Sequence, residues 1–233
     1  MFGRAMTDTD IADTIAAYAR AASDAERLGF DAVEIHGAHG YLIDQFFWDA
    51  TNLRSDRWGG TSLSERTRFA VEIVLAIRRA VSPGFPVIFR FSQFKQQDYA
   101  VKLAHTPAEL ASFLEPLAGA GVDVFHASQR RFWDAEFSGS DLNTAGWARH
   151  ITGRPSITVG SVGLSGDFQG NMMGNASQPA SLERLLDRLK RLEFDLVAIG
   201  RALLVDPQWV EKIEKGRFGD LRSFDVSALV NYY

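Results

Sequence analysis

The chain has 233 residues, of which 46% are hydrophobic and 23% charged, with a formal net charge of −4 and no cysteine. This is ordinary globular composition for one large domain or two small ones, and it argues against disorder. The lack of cysteine excludes disulfides, thiolate metal sites and cysteine nucleophiles, and 25 basic against 29 acidic residues offer no nucleic-acid or anionic-membrane surface. No apolar run approaches the ~18 residues of a transmembrane helix. The opening MFGRAMTDTD holds no apolar h-region, so a cytoplasmic protein is expected.

The elements follow in order. Thr7 or Thr9 caps a first helix, with Ile11, Ile15, Tyr18, Ala19, Ala22 and Leu28 at helical spacing and Gly29 as its stop. AVEIH (32–36) reads as a strand. A long loop follows, with Gly59-Gly60 near its end. A helix is expected over 64–80 with Phe69, Ile73 and Ile77 on one face, ended by Pro83-Gly84. PVIFRFS (86–92) is a strand, Thr106-Pro107 opens a helix to Ala120, and DVFHASQ (123–129) is the next strand. A helix over 144–150 precedes the strand SITVGSV (156–162). The stretch 166–178 reads as a loop, and 181–192 as a helix with Leu182, Leu185, Leu186 and Leu189 along one side. DLVAIGR (195–201) is the last strand, and Asp206-Pro207 opens a final helix to Lys215.

Strands alternating with helices imply a parallel sheet. Polar or glycine residues end the strands at His36, Arg90, Ser128, Gly160 and Gly200, and in a β/α barrel that edge is the active face. No G-x-G-x-x-G follows a strand, which disfavours an open dinucleotide-binding sheet. The expected fold is therefore α/β, a partial (β/α)8 TIM barrel of about five βα units preceded by a helix. Residues 1–233 are read as a single domain.

The richest segment is EIHGAHGYLIDQFF (34–47). Residues three apart on a strand face opposite ways, so His36 and His39 converge only if the chain turns between them, and Gly37 and Gly40 make a turn inexpensive. Two imidazoles and the phenol of Tyr41 then form a donor cluster able to hold an oxygen and deliver a proton. These residues equally serve as loop residues with local hydrogen bonds, and a zinc site would draw on His36, His39 and His126. Arg90 sits in an apolar strand, alternating with Phe89 and Phe91. It needs an anionic or carbonyl partner, either a structural ion pair or a planar electron-rich ligand. Glycines at 160, 163 and 200 with Arg201 end the last two strands, where barrels often hold a phosphate. With Arg90 they point to a phosphorylated, flat cofactor, although glycines at strand ends are also ordinary turn residues.

HGAHGYLIDQF (36–46), NLRSDRWGG (52–60) and ERTRF (65–69) strongly resemble the old yellow enzyme family of FMN-dependent ene reductases. FRFS (89–92), TVGSVG (158–163) and AIGRALLVDP (198–207) match the family's later strands in order. The resemblance implies FMN as cofactor, NADH or NADPH as hydride donor, and an activated alkene, enone or nitro compound as substrate. It implies that His36 and His39 bind the substrate's oxygen and that Tyr41 donates the proton. By the same resemblance Arg90 contacts the flavin pyrimidine edge, and Gly163, Gly200 and Arg201 hold the FMN phosphate. Asn52, Arg54, Asp56, Trp58 and Gly60 read as the architecture of the loop after the histidines. Phe132 and Trp133 are candidates for the substrate mouth.

The chain corresponds to the part of the family barrel beginning with its third helix. The expectation is a truncated chain, or one whose barrel another chain completes. A second reading follows: an inactive remnant or assembly module, whose two open sheet edges seek a partner or another copy of the chain. A third is a metal-dependent barrel hydrolase or lyase.

Overall fold

The computed structural model describes residues 4–230. The chain divides into two compact units, residues 1–125 with 150–154, and residues 126–149 with 155–233. Among the described residues the sheet has five strands in the order β1-β2-β3-β4-β5, which is also their order in the chain.

In the first unit, helix α1 (Asp8–Arg27) begins at the Thr7 N-cap, where Thr7 and Asp10 form a reciprocal capping box. Ile11 and Ala22 are buried, whereas Leu28 is the C-cap and lies exposed. Strand β1 (Val33–His36) pairs in parallel with β2 (Val87–Ser92), with Ile35 opposite Phe89 and His36 opposite Arg90. Ile35, Val87, Phe89 and Phe91 are buried, as the alternation in VIFRFS predicts. Phe113 lies 6.5 Å from the Phe89 ring and 5.7 Å from Phe91, on helix α5 (Pro107–Ala120). Thr106 caps α5 and Gly121 ends it in the left-handed region.

The long loop after β1 is not structureless. It holds helix α2 (Leu42–Phe47), too short for periodicity to reveal. The expected helix over 64–80 is two pieces, α3 (Leu63–Arg66) and α4 (Arg68–Ala80), broken at Thr67. Ser62 caps α3 through a second capping box with Glu65. Phe69, Ile73 and Ile77 are buried along α4, as expected.

Strand β3 (Val124–Ser128) and helix α6 (Thr144–Thr152) each include residues of both units. In the second unit β4 (Ser156–Val159) pairs in parallel with β5 (Leu196–Val197). β5 is shorter than DLVAIGR implies, because the chain leaves the strand before Gly200 and helix α9 (Arg201–Val205) begins directly after it. The 166–178 stretch contains helix α7 (Phe168–Met172), with Asp167 as N-cap. Helix α8 spans Glu183–Lys190. Leu182 and Leu185 are buried, but Leu186 is exposed and Arg188 takes a core position, paired with Glu193 at 2.7 Å. The last helix, α10 (Trp209–Glu214), starts later than Asp206-Pro207 predicts.

Candidate active site

The first unit places His36, His39 and Tyr41 together. Their ring centroids lie 5.1 Å apart for His36–His39 and 5.4 Å for His36–Tyr41. The turn that achieves this differs from the sequence expectation in one respect. Left-handed backbone falls at His39 (φ 65) and Gly40 (φ 79), not at Gly37. Gly37 is required for proximity instead: a Cβ there would stand 2.5 Å from the Phe89 ring, while its N–H donates to the Arg90 carbonyl at 2.8 Å. Histidine tolerates the left-handed region better than most side chains.

The turn is fastened from several sides. The His39 N–H donates to Ser92 Oγ at 3.0 Å, and Ser92 Oγ donates to the Phe94 carbonyl at 2.7 Å. The His39 ring stacks on Phe94, and Phe94 on Tyr99. The Gly40 N–H donates to Asp44 Oδ2 at 2.6 Å, and Lys95 Nζ donates to Asp44 Oδ1 at 2.5 Å. Tyr41 is the N-cap of α2, and it is 54% exposed.

Arg90 stands beside His36 in the register. Its guanidinium is partly buried and faces Glu34 at 4.0 Å. Burial lowers the Arg90 pKa and Glu34 raises it. A partly buried guanidinium suits the edge of an electron-rich ring. The first unit also contains a cavity of about 300 Å³, lined by Trp48, Arg66, Lys95, Lys102 and His105. His36, His39 and Tyr41 are not among its lining residues.

The loop after the histidines is architecture. Asn52 Nδ2 donates to the Phe46 carbonyl at 2.7 Å and to the Trp58 carbonyl at 2.8 Å. Arg54 pairs with Asp56 and donates to the Met6 carbonyl at 2.7 Å. The Trp58 N–H donates to Asp56 at 2.9 Å, and its indole N–H donates to Asp8 at 3.0 Å. Gly60 takes φ 140.

The second unit holds the other candidates. Gly160, Ser161 and Gly163 all have positive φ. A Cβ on Gly163 would stand 2.7 Å from the Trp209 ring. Gly200 is the N-cap of α9, and a Cβ there would meet nothing within 4 Å. Arg201 donates to Asn171 Oδ1, to Ser161 Oγ at 3.2 Å and to the Gly166 carbonyl at 3.1 Å. Burial lowers its pKa, opposed by Asp167. The guanidinium is thus clasped by its own loops, which the sequence did not reveal. It has about five N–H donors in all, so these three bonds leave donors for an anion. Open space at Gly200 beside Arg201, at a helix start, suits the phosphate end of a cofactor.

Phe132 is buried and packs edge-on against Trp133, whose carbonyl accepts from Arg184 and Arg188. Among the described residues, no group of three His, Cys, Asp or Glu side chains is placed to hold a metal ion. Sequence reasoning missed Asp44, Lys95, Ser92, Glu34 and Asn171. Of these only Asp44 lies inside the motif 36–46.

These features meet in one family. Residues 1–220 match the model of the NADH:flavin oxidoreductase / NADH oxidase family, and the chain belongs to it. Its fold class is that of part of a (β/α)8 barrel, in keeping with the resemblance to old yellow enzymes. The chain is 33% identical over 227 residues to an NADH oxidase of Thermoanaerobacter brockii, covering 94% of this chain and 32% of that protein. It is 31% identical over 208 residues to an NADPH dehydrogenase of Clostridium acetobutylicum, covering 88% of this chain and 55% of that one. Morphinone reductase, solved in complex with tetrahydroNAD, superposes with a TM-score of 0.73 at 26% identity, covering 97% of this chain and 54% of that chain. The chain therefore spans between 32% and 55% of the length of these relatives.

Proposed function

We propose that this chain carries the substrate-binding and cofactor-phosphate residues of an FMN-dependent NAD(P)H oxidoreductase that reduces an activated alkene. Residues 1–233 act in it as one barrel-type domain. The reading is carried by one observation: His36, His39 and Tyr41 are brought together by a turn at the end of β1. FMN, when bound, supplies hydride taken from NADH or NADPH.

The chain's own residues do the rest. His36 and His39 donate N–H groups to the carbonyl or nitro oxygen of the substrate and stabilise the charge that develops there. Tyr41, exposed and adjacent, gives its phenol proton to the carbon next to the activating group. Arg90 holds the pyrimidine edge of the flavin and balances negative charge on it. Gly163, Gly200 and Arg201 hold the phosphate. The substrate class is a small enone, nitroalkene or similar activated alkene. The reaction needs neither nucleic acid nor a membrane, and among the described residues no helix is long and apolar enough to cross one. The cytoplasm is the proposed location.

The test combines the purified chain with FMN, NADH or NADPH, and 2-cyclohexenone. The parent is expected to bind flavin and saturate the alkene. Tyr41→Phe is expected to lower alkene turnover by ~10²–10⁴-fold and to leave flavin reduction by NAD(P)H unchanged. A parent chain that takes up no flavin and reduces no enone refutes the reading. A Tyr41→Phe variant as fast as the parent removes Tyr41 from its role.

A further inference from the structure

Asp44 and Lys95 are wholly buried, each side chain 0% exposed, and they bond each other at 2.5 Å. The second carboxylate oxygen of Asp44 accepts the Gly40 N–H at 2.6 Å. Lys95 also pairs through its backbone with His39, in a parallel bridge. His39, Gly40, Asp44 and Lys95 therefore close a ring of contacts around the two left-handed residues that bring the imidazoles together. A buried ion pair is a poor way to add stability, since apolar residues of equal volume do as well or better. What apolar residues cannot do is accept the Gly40 N–H.

We infer that Asp44, whose buried charge Lys95 balances, is a positioning residue that sets the His39–Gly40 turn and through it the convergence of His36, His39 and Tyr41. The inference rests on the function proposed above for those three residues. Asp44 itself acts through the turn. The electrostatics are in keeping with this: burial pushes the Asp44 pKa up, while Lys95, the Gly40 N–H and the charge of His36 draw it back.

Two double variants of the full chain separate charge from the turn. Asp44→Asn with Lys95→Met removes both charges and keeps an amide oxygen for the Gly40 N–H. Asp44→Leu with Lys95→Met removes both charges and that acceptor. Three readouts are taken on each: the NMR inter-ring NOE between His36 and His39, hydrogen exchange at the Gly40 amide, and kcat and KM for 2-cyclohexenone with FMN and NADPH. The Asn/Met variant is expected to keep the NOE, slow exchange and kcat within ~3-fold of the parent, because the acceptor survives. The Leu/Met variant is expected to lose the NOE, to exchange Gly40 at least ~10-fold faster and to lose ~10–100-fold in kcat, since a misplaced donor costs that much. Its rate of flavin reduction by NADPH should not change.

Retention of the NOE, the exchange protection and kcat in the Leu/Met variant overturns the inference, as does equal loss in both variants. If the parent itself reduces no enone, the proposed reaction fails. The NOE and exchange measurements then still decide whether Asp44 sets the turn.

Discussion

Gly163 and Gly200, both proposed to hold the phosphate, differ in what a side chain at each position would meet. Gly163 has φ 69, and a Cβ there would stand 2.7 Å from Cζ2 of Trp209, a ring that is itself buried. A left-handed alanine costs ~1–2 kcal/mol and forced overpacking a further ~1–3 kcal/mol, so Gly163→Ala should lose about 2–5 kcal/mol. In a chain of this size each kcal/mol lowers Tm by ~2–4 °C, which sets a drop of at least ~4 °C. Gly200 has φ −103, and its Cβ would meet nothing within 4 Å, so Gly200→Ala should fold with a loss of at most ~1 kcal/mol. If a phosphate approaches the Gly200 backbone, the new methyl stands in its way. The expected result is FMN binding weakened ~10-fold or more, which is ~1.4 kcal/mol. Circular-dichroism melts and a flavin-fluorescence titration read the two effects. A Gly163→Ala variant melting within ~1 °C of the parent refutes the steric reasoning. A Gly200→Ala variant with parental FMN affinity refutes the phosphate site there.

Lys95→Met leaves the buried Asp44 carboxylate without its cation and should lose ~3–5 kcal/mol at neutral pH by urea denaturation. Burial already raises the Asp44 pKa, and the variant removes the Lys95 attractions that lower it. Its native state then binds a proton more readily than its unfolded state. Stability should fall as pH rises above ~4, and the deficit against the parent should shrink on acidification. A pH-independent deficit, or one under ~1 kcal/mol, counts against a paired buried charge. Asn52→Ala strips the bonds to the Phe46 and Trp58 carbonyls and should lose ~2–4 kcal/mol. A loss below ~0.5 kcal/mol in the same urea assay shows that those carbonyls find other partners.

The parts of the fold that repeat were legible in the sequence. Phe69, Ile73 and Ile77 fall every fourth residue and are buried on α4; Val87, Phe89 and Phe91 alternate and are buried on β2. Capping chemistry marked Thr7 and Thr106. Short elements were not legible, because α2, α7 and α9 complete too few turns to show a period. The run AIGRALLV joined a two-residue strand to a helix, and apolar character alone does not separate them. On α8 the leucine spacing hid that Leu186 faces out and Arg188 faces in, because the Arg188–Glu193 pair makes a charged side chain suitable for burial.

At the candidate site, His36, His39 and Tyr41 lie within six residues of one another and were readable as a cluster. The groups that fix them were not. Asp44 and Lys95 are 51 residues apart, and nothing local marks a lysine in a loop as buried. Arg201 was recognisable as a donor, but its partners Asn171 and Gly166 come from a stretch that reads only as polar loop.

The ties from Arg54 to the Met6 carbonyl and from the Trp58 indole to Asp8 join the loop after the histidines to the first turn of α1. Neither segment can open without breaking the other's bonds, so they form one cooperative unit in hydrogen exchange. Trp58 is buried and carries the Arg57 guanidinium 4.3 Å above its ring. Its fluorescence is therefore a built-in signal for release of the helix start. A fusion partner abutting Met6, some thirty residues before His36, would act on the rigidity of the loop that follows the two histidines.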